Sequence, residues 1–108
     1  MRFEFPNGKR KALTFSYDDG QIFDRKLVEI FNKYGMKATF HLNSGILGVD
    51  RGFEAFVTKE EVAELYKGHE VAVHGVQHKG LTSLSKHQMI LELEDDRNAF
   101  GNLVRKLN

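Results

Sequence analysis

The period of the apolar positions switches back and forth along this chain, and each switch reads as a strand giving way to a helix. Ala12 to Tyr17 is a run of apolar and hydroxyl residues that stops at Asp18-Asp19-Gly20, as a buried strand stops at a turn. From Asp24 onward, Leu27, Ile30, Phe31 and Tyr34 fall at i, i+3, i+4 and i+7, one face of a helix. Asp24 is placed to cap its start, and Gly35 to end it as the C′ residue. A second unit opens with Lys37 to Leu42 (KATFHL), followed by a loop through Gly45, Gly48 and Gly52. Its helix starts at a capping box of Thr58 and Glu61, buries Val62, Leu65 and Tyr66, and ends at Gly68. The third unit is a strand from Glu70 to Val73, a loop from His74 to Gly80, and a helix begun by a second capping box, Ser85 with Gln88. Met89, Leu93, Phe100, Val104 and Leu107 carry the stripe of that helix, and the charge run Glu92, Glu94, Asp95, Asp96 and Arg97 reads as its solvated face. Ahead of the first unit, Arg2 to Phe5 alternates weakly before the turn Pro6-Asn7-Gly8, giving a short strand or arm.

Three successive strand–helix units predict an α/β fold with a parallel sheet and right-handed crossovers. Ligands of such sheets collect beyond the carboxyl ends of the strands. The first predicted strand ends at Asp18-Asp19, the second at Asn43 and the third at His74, so all three converge on one rim. Asn43 either faces that rim or serves a turn. Tyr17 is expected to pack in the interior rather than to bind a ligand.

Length and composition narrow the chemistry. At 108 residues the chain is one domain, 1–108, with 41% hydrophobic and 29% charged residues, ordinary for a globular protein. Sixteen basic and fifteen acidic residues leave a formal charge of +1, which makes no electrostatic case for nucleic acid or an anionic membrane. The sequence holds no cysteine, so disulfides, thiolate ligands and a cysteine nucleophile are excluded, and a metal site must use His, Asp or Glu. No stretch has the length of a membrane span, and the start lacks the apolar core of a signal peptide. As written, the expected location is cytoplasmic, and secretion stays open if a leader was removed.

His74-Gly75-Val76-Gln77-His78 places two imidazoles four residues apart, a spacing that lets both reach one metal ion from a helical turn or a tight loop. Asp19 is the natural third ligand from a separate strand end. A His, His, Asp set without sulfur suits zinc and other divalent transition metals better than calcium. Asp18 then stands beside the ion as a general base for water attacking a carbonyl. The residues alone thus point to metal-assisted hydrolysis of an amide or ester. The plainer readings are a chance pair among five histidines, and adjacent aspartates that cap a helix or make a turn.

Taken together, these segments resemble the polysaccharide deacetylase family. Ser16-Tyr17-Asp18-Asp19-Gly20 is similar to its Thr-Phe-Asp-Asp-Gly motif, and His74-Gly75-Val76-Gln77-His78 to its His-Ser/Thr-x-x-His motif. KATFHLNSG and Gly68-His69-Glu70-Val71 resemble the intervening strand and the lead-in to the second motif. The resemblance implies the amino-terminal portion of an irregular, incomplete (β/α) barrel. It implies Asp18 as base, and Asp19, His74 and His78 as ligands of zinc, or of cobalt, nickel or manganese. It also implies removal of N- or O-acetyl groups from a carbohydrate polymer, with no nucleic acid or membrane partner. Relatives of this fold hydrolyse other non-peptide C–N bonds as well.

The departures are specific. Gln21 stands where a proline is common, and Gly75 replaces the Ser/Thr that braces the loop, which predicts a looser loop. The family's later arginine, oxyanion donor and acid histidine have no counterpart here. His41 reads as a core or rim residue, His69 as structural and His87 as helix surface. Two alternatives stand beside the deacetylase: an inactive metal-binding fragment that needs a missing half or a partner chain, and a signalling receiver domain. A three-stranded sheet would leave an open apolar edge, through which the chain would self-associate.

Overall fold

The computed structural model describes residues 3–105. Three parallel strands pair in chain order: β1 (Ser16–Asp18), β2 (Thr39–Leu42) and β3 (Glu70–Val73). They are joined by helices α1 (Asp24–Lys33) and α2 (Val62–Leu65), and α3 (Lys86–Arg105) follows β3. The α/β fold with a parallel sheet is as the pattern predicts, and β3 has the predicted bounds.

Register sorts the side chains onto two faces. Tyr17 pairs with Phe40 and Phe40 with Val71, while Leu42 pairs with Val73. This face carries the core, in which Phe40 and Leu42 lose all exposure against Val28, Phe31, Val62 and Tyr66. Each fully buried side chain of this kind contributes roughly 1.5–3 kcal/mol. On the opposite face, Asp18 pairs with His41 and His41 with Ala72, so polar residues line the side without helices. Tyr17 rests its ring near Phe31 and Phe40 and stays 38% exposed.

Several boundaries differ from expectation. β1 is shorter than Ala12–Tyr17. Beyond the bond from Thr39 N–H to Phe15 O (2.9 Å), nothing among the described residues pairs with residues 11–15, and an apolar run without a neighbour makes no strand. Ahead of it, Phe5 forms only an isolated bridge to Lys9 across the Pro6–Gly8 turn, and Arg2 lies outside the described residues. Asp24 does not cap α1. The first helical N–H groups already bond the carbonyls of Gln21, Ile22 and Phe23 in the preceding turn. The Asp24 side chain is instead buried, and its Oδ2 accepts the Tyr66 hydroxyl at 2.6 Å. Burial raises the Asp24 pKa, the Tyr66 hydrogen bond lowers it, and the nearby charge of Asp19 raises it further. The buried side of α1 is Val28 and Phe31 with Leu27 packed beside them, whereas Ile30 and Tyr34 are exposed. Gly35 ends the helix at φ +66°, as expected.

Both capping boxes form. Glu61 Oε2 accepts from the Thr58 N–H at 3.3 Å, and Gln88 Oε1 from the Ser85 N–H at 2.9 Å while Ser85 Oγ accepts from the Gln88 N–H at 3.2 Å. Arg25 also donates to both oxygens of Glu61, at 2.7 and 2.9 Å, and holds its carboxyl down to a pKa of about 2. No helix among the described residues is long and apolar enough to cross a membrane.

Candidate metal centre

The chain leaves β1 through two consecutive left-handed residues, Asp19 at φ +76° and Gly20 at φ +70°. Such a conformation costs an aspartate of order 1 kcal/mol and persists only when its surroundings enforce it. Here they do. Asp19 N–H bonds His41 O at 2.8 Å, Val57 N–H bonds Gly20 O at 2.9 Å, and Ile22 N–H bonds Ala55 O at 3.0 Å. Gln21, at the common proline position, adds a bond from Nε2 to Glu54 Oε1 at 3.1 Å. The turn therefore carries Asp19 toward the loop after β3 instead of along the strand.

That loop begins at His74 and is also wound through left-handed residues, Gly75 at φ +88° and His78 at φ +55°. It is a tight loop rather than a helical turn. His74 Nε2 comes to 3.3 Å from Asp19 Oδ1, and His78 Nε2 to 3.5 Å from the same oxygen. One ligand atom from each of the three residues lies within 4.8 Å of the others. Ligands about 2.1 Å from a tetrahedral zinc stand about 3.4 Å apart, so the spacing fits such an ion. Asp19 Oδ1 is buried and has no hydrogen-bond partner among the described residues, an arrangement that costs free energy unless a cation compensates it. Residues distant in sequence thus present an oxygen and two nitrogens to one point, and the donor set fits a divalent transition metal.

Asp18 sits beside this cluster and is exposed. Its Oδ2 lies 3.9 Å from His74 Nε2, and its Oδ1 lies 3.2 Å from His41 Nδ1. His41 Nδ1 is also 3.2 Å from Tyr17 O, so both neighbours are acceptors and Nδ1 carries the proton. His41 is therefore a rim residue, with the Asp18 carboxylate beside its ring. Asn43 does not face the rim as a ligand. Fully buried, it donates through Nδ2 to His74 O and Gly75 O, both at 2.7 Å. His69 is structural: Nδ1 accepts the Ala38 N–H at 3.2 Å, and Nε2 lies 2.7 Å from Asn32 Oδ1. His87 is exposed on α3.

Two residues of the centre escape the sequence pattern. Glu92 and Asp96, expected on a solvated face, are 8% and 0% exposed. Asp96 Oδ1 accepts the Ser44 N–H at 2.7 Å and Oδ2 the His74 N–H at 3.0 Å. Glu92 accepts from Val76 N–H through its carbonyl at 3.2 Å and from Gln77 N–H through Oε2 at 3.1 Å. The signal was present in the spacing. Met89, Glu92, Asp96, Phe100 and Leu103 recur every three or four residues, so the acids share one stripe with the apolar residues. Leu93, expected in the stripe, is 44% exposed. The loop is consequently not loosened by Gly75; carboxylates from α3 brace it.

With this geometry in view, residues 6–107 match the family model of the polysaccharide deacetylases. The chain belongs to the polysaccharide deacetylase family. Its fold is similar to that of a solved Streptococcus pyogenes deacetylase, PplD, in complex with acetate, with a TM-score of 0.80 at 24% identity. The match covers 94% of this chain and 44% of that one, so this chain spans less than half the length of the solved relative. The comparison with curated proteins returned no match. Family membership removes the receiver alternative, which required a phosphoacceptor aspartate where His74 follows β3.

Proposed function

We propose that this chain carries the metal-binding half of a deacetylase that hydrolyses acetyl groups from a carbohydrate polymer, with Asp19, His74 and His78 as ligands and Asp18 as general base. The observation that carries this reading is the partnerless Asp19 Oδ1, flanked by two imidazole nitrogens at 3.3 and 3.5 Å with a second carboxylate adjacent. A divalent ion held there, zinc or else cobalt, nickel or manganese, would supply Lewis acidity to water and to the acetyl carbonyl. The residues do the rest. Asp19 and the two histidines fix the direction from which the carbonyl is approached. One oxygen of Asp18 lies beside His41 Nδ1 and the other is turned toward the cluster, where it would take a proton from water.

The test is acetate release from acetylated chito-oligosaccharides by the zinc-loaded chain. Asp18→Asn is expected to lower kcat by about 10²–10⁴-fold with zinc affinity unchanged. Release that is insensitive to Asp18→Asn and to chelation would contradict the proposal. A second reading, that the chain binds metal but needs further residues in cis or in trans for turnover, is favoured by the 44% coverage of the solved relative. Zinc binding without acetate release would select it.

A further inference from the structure

Asp96 is the most deeply buried charged side chain described, at 0% exposure, and no described Lys, Arg or His forms an ion pair with it. A buried carboxylate needs hydrogen bonds to replace its water. It takes them from two separate chain segments: Ser44 N–H just after β2 and the His74 N–H just after β3. One turn earlier on α3, Glu92 bonds the middle of the His74–His78 loop at Gln77 N–H. Gly75 completes the fit, because a Cβ there would meet Glu92 Oε2 at 3.0 Å. Gly45 lets the two loops touch, its N–H bonding Val76 O at 2.8 Å where a Cβ would stand 2.6 Å from that oxygen.

Resting on the metal reading above, we infer that Asp96 is a positioning residue: its carboxylate ties the loop after β2 to the backbone of His74 and so sets the spacing of the ligand cluster. The helix that bears it contributes no ligand, yet it governs the fit of the ion. Outer partners of this kind commonly tune metal affinity by fixing where first ligands point. Two backbone donors from different strand ends on one carboxylate make Asp96 a clamp, which adds to the bonds that His74 makes through its N–H to Leu42 O at 3.0 Å and through its carbonyl to Asn43 Nδ2 at 2.7 Å.

The experiment is cobalt(II) titration of the full chain, followed by visible absorption and calorimetry, alongside urea unfolding of the metal-free protein. Asp96→Asn keeps the shape and one acceptor oxygen but turns an amide toward one N–H. It is expected to weaken cobalt affinity on the order of 10- to 100-fold and to alter the d–d bands, while unfolding remains cooperative. Tyr66→Phe, which removes a buried hydrogen bond elsewhere, is the control for destabilisation alone and should leave the bands unchanged. Should Asp96→Asn not fold, Asp96→Ser keeps a hydroxyl acceptor on α3 and gives up at least one of the two bonds. Weakened cobalt binding in Asp96→Ser supports the inference as well. Affinity and bands equal to wild type in the folded variant overturn it while the metal reading stands. A wild-type chain that takes up no cobalt overturns both.

Discussion

Gly75 sits between the two imidazoles with φ +88°, where a side chain is both strained and crowded by Glu92. Replacing it with alanine costs about 1–2 kcal/mol from the left-handed backbone alone. Gly75→Ala is therefore expected to lower the urea midpoint, and also to weaken zinc binding because the strain falls between the two proposed ligands, His74 and His78. An unchanged midpoint would show that the loop tolerates a Cβ and that the Glu92 contact carries no weight. At this scale the sequence is legible where one residue type has one use. The His74–His78 spacing and the Asp18-Asp19-Gly20 turn could be read directly, and the structure brings Asp19 and both histidines together. The roles of Gly75, Glu92 and Asp96 could not, because each depends on a partner far along the chain. A glycine in place of a hydroxyl residue suggests slack only until the carboxylate facing it is known.

Helix ends and strand ends show how neighbouring elements decide what a residue does. His69 lies in the turn between α2 and β3, where its Nδ1 accepts the Ala38 N–H and must stay unprotonated to do so. Burial, and then the charge of Lys37, lower its pKa below 6.5 in the folded chain. A folded pKa below the unfolded value means that the unfolded chain binds the proton first. The contribution of His69 to stability is complete above pH 6.5 and is lost as pH falls through the lowered folded value. The unfolding free energy of wild type should thus fall more steeply with acid than that of His69→Gln. Parallel pH curves for the two proteins would rule out this role. The predicted capping boxes formed because their partners are three residues apart, within reach of local reasoning. The Asp24 cap failed because the preceding turn supplied the acceptors and Tyr66, just after α2, claimed the side chain. Likewise, an apolar run predicted strand back to Ala12, but a ladder needs a neighbour, and β1 has one only from Ser16 onward.

In the whole molecule, strand order places the ends of β1 and β3 on either side of β2, so Asp19 and the two histidines approach each other across the rim of the sheet. That topology was legible, since alternating units with short links admit few arrangements. The stripe of α3 was the chief misreading, and it matters most because the acids on that stripe reach the loops at the rim. A groove lined by Tyr66, Val71, Val73 and Phe100 lies between α2, β3 and α3. The central claim is that Asp19, His74 and His78 close around a single ion. Zinc-edge X-ray absorption on the chain loaded with zinc and freed of excess metal tests it most directly. One zinc per chain is expected, bound by nitrogen and oxygen only, with scattering from two imidazoles that drops to one in His74→Ala. Failure to retain zinc, or an imidazole count unmoved by removing either His74 or His78, would contradict the account.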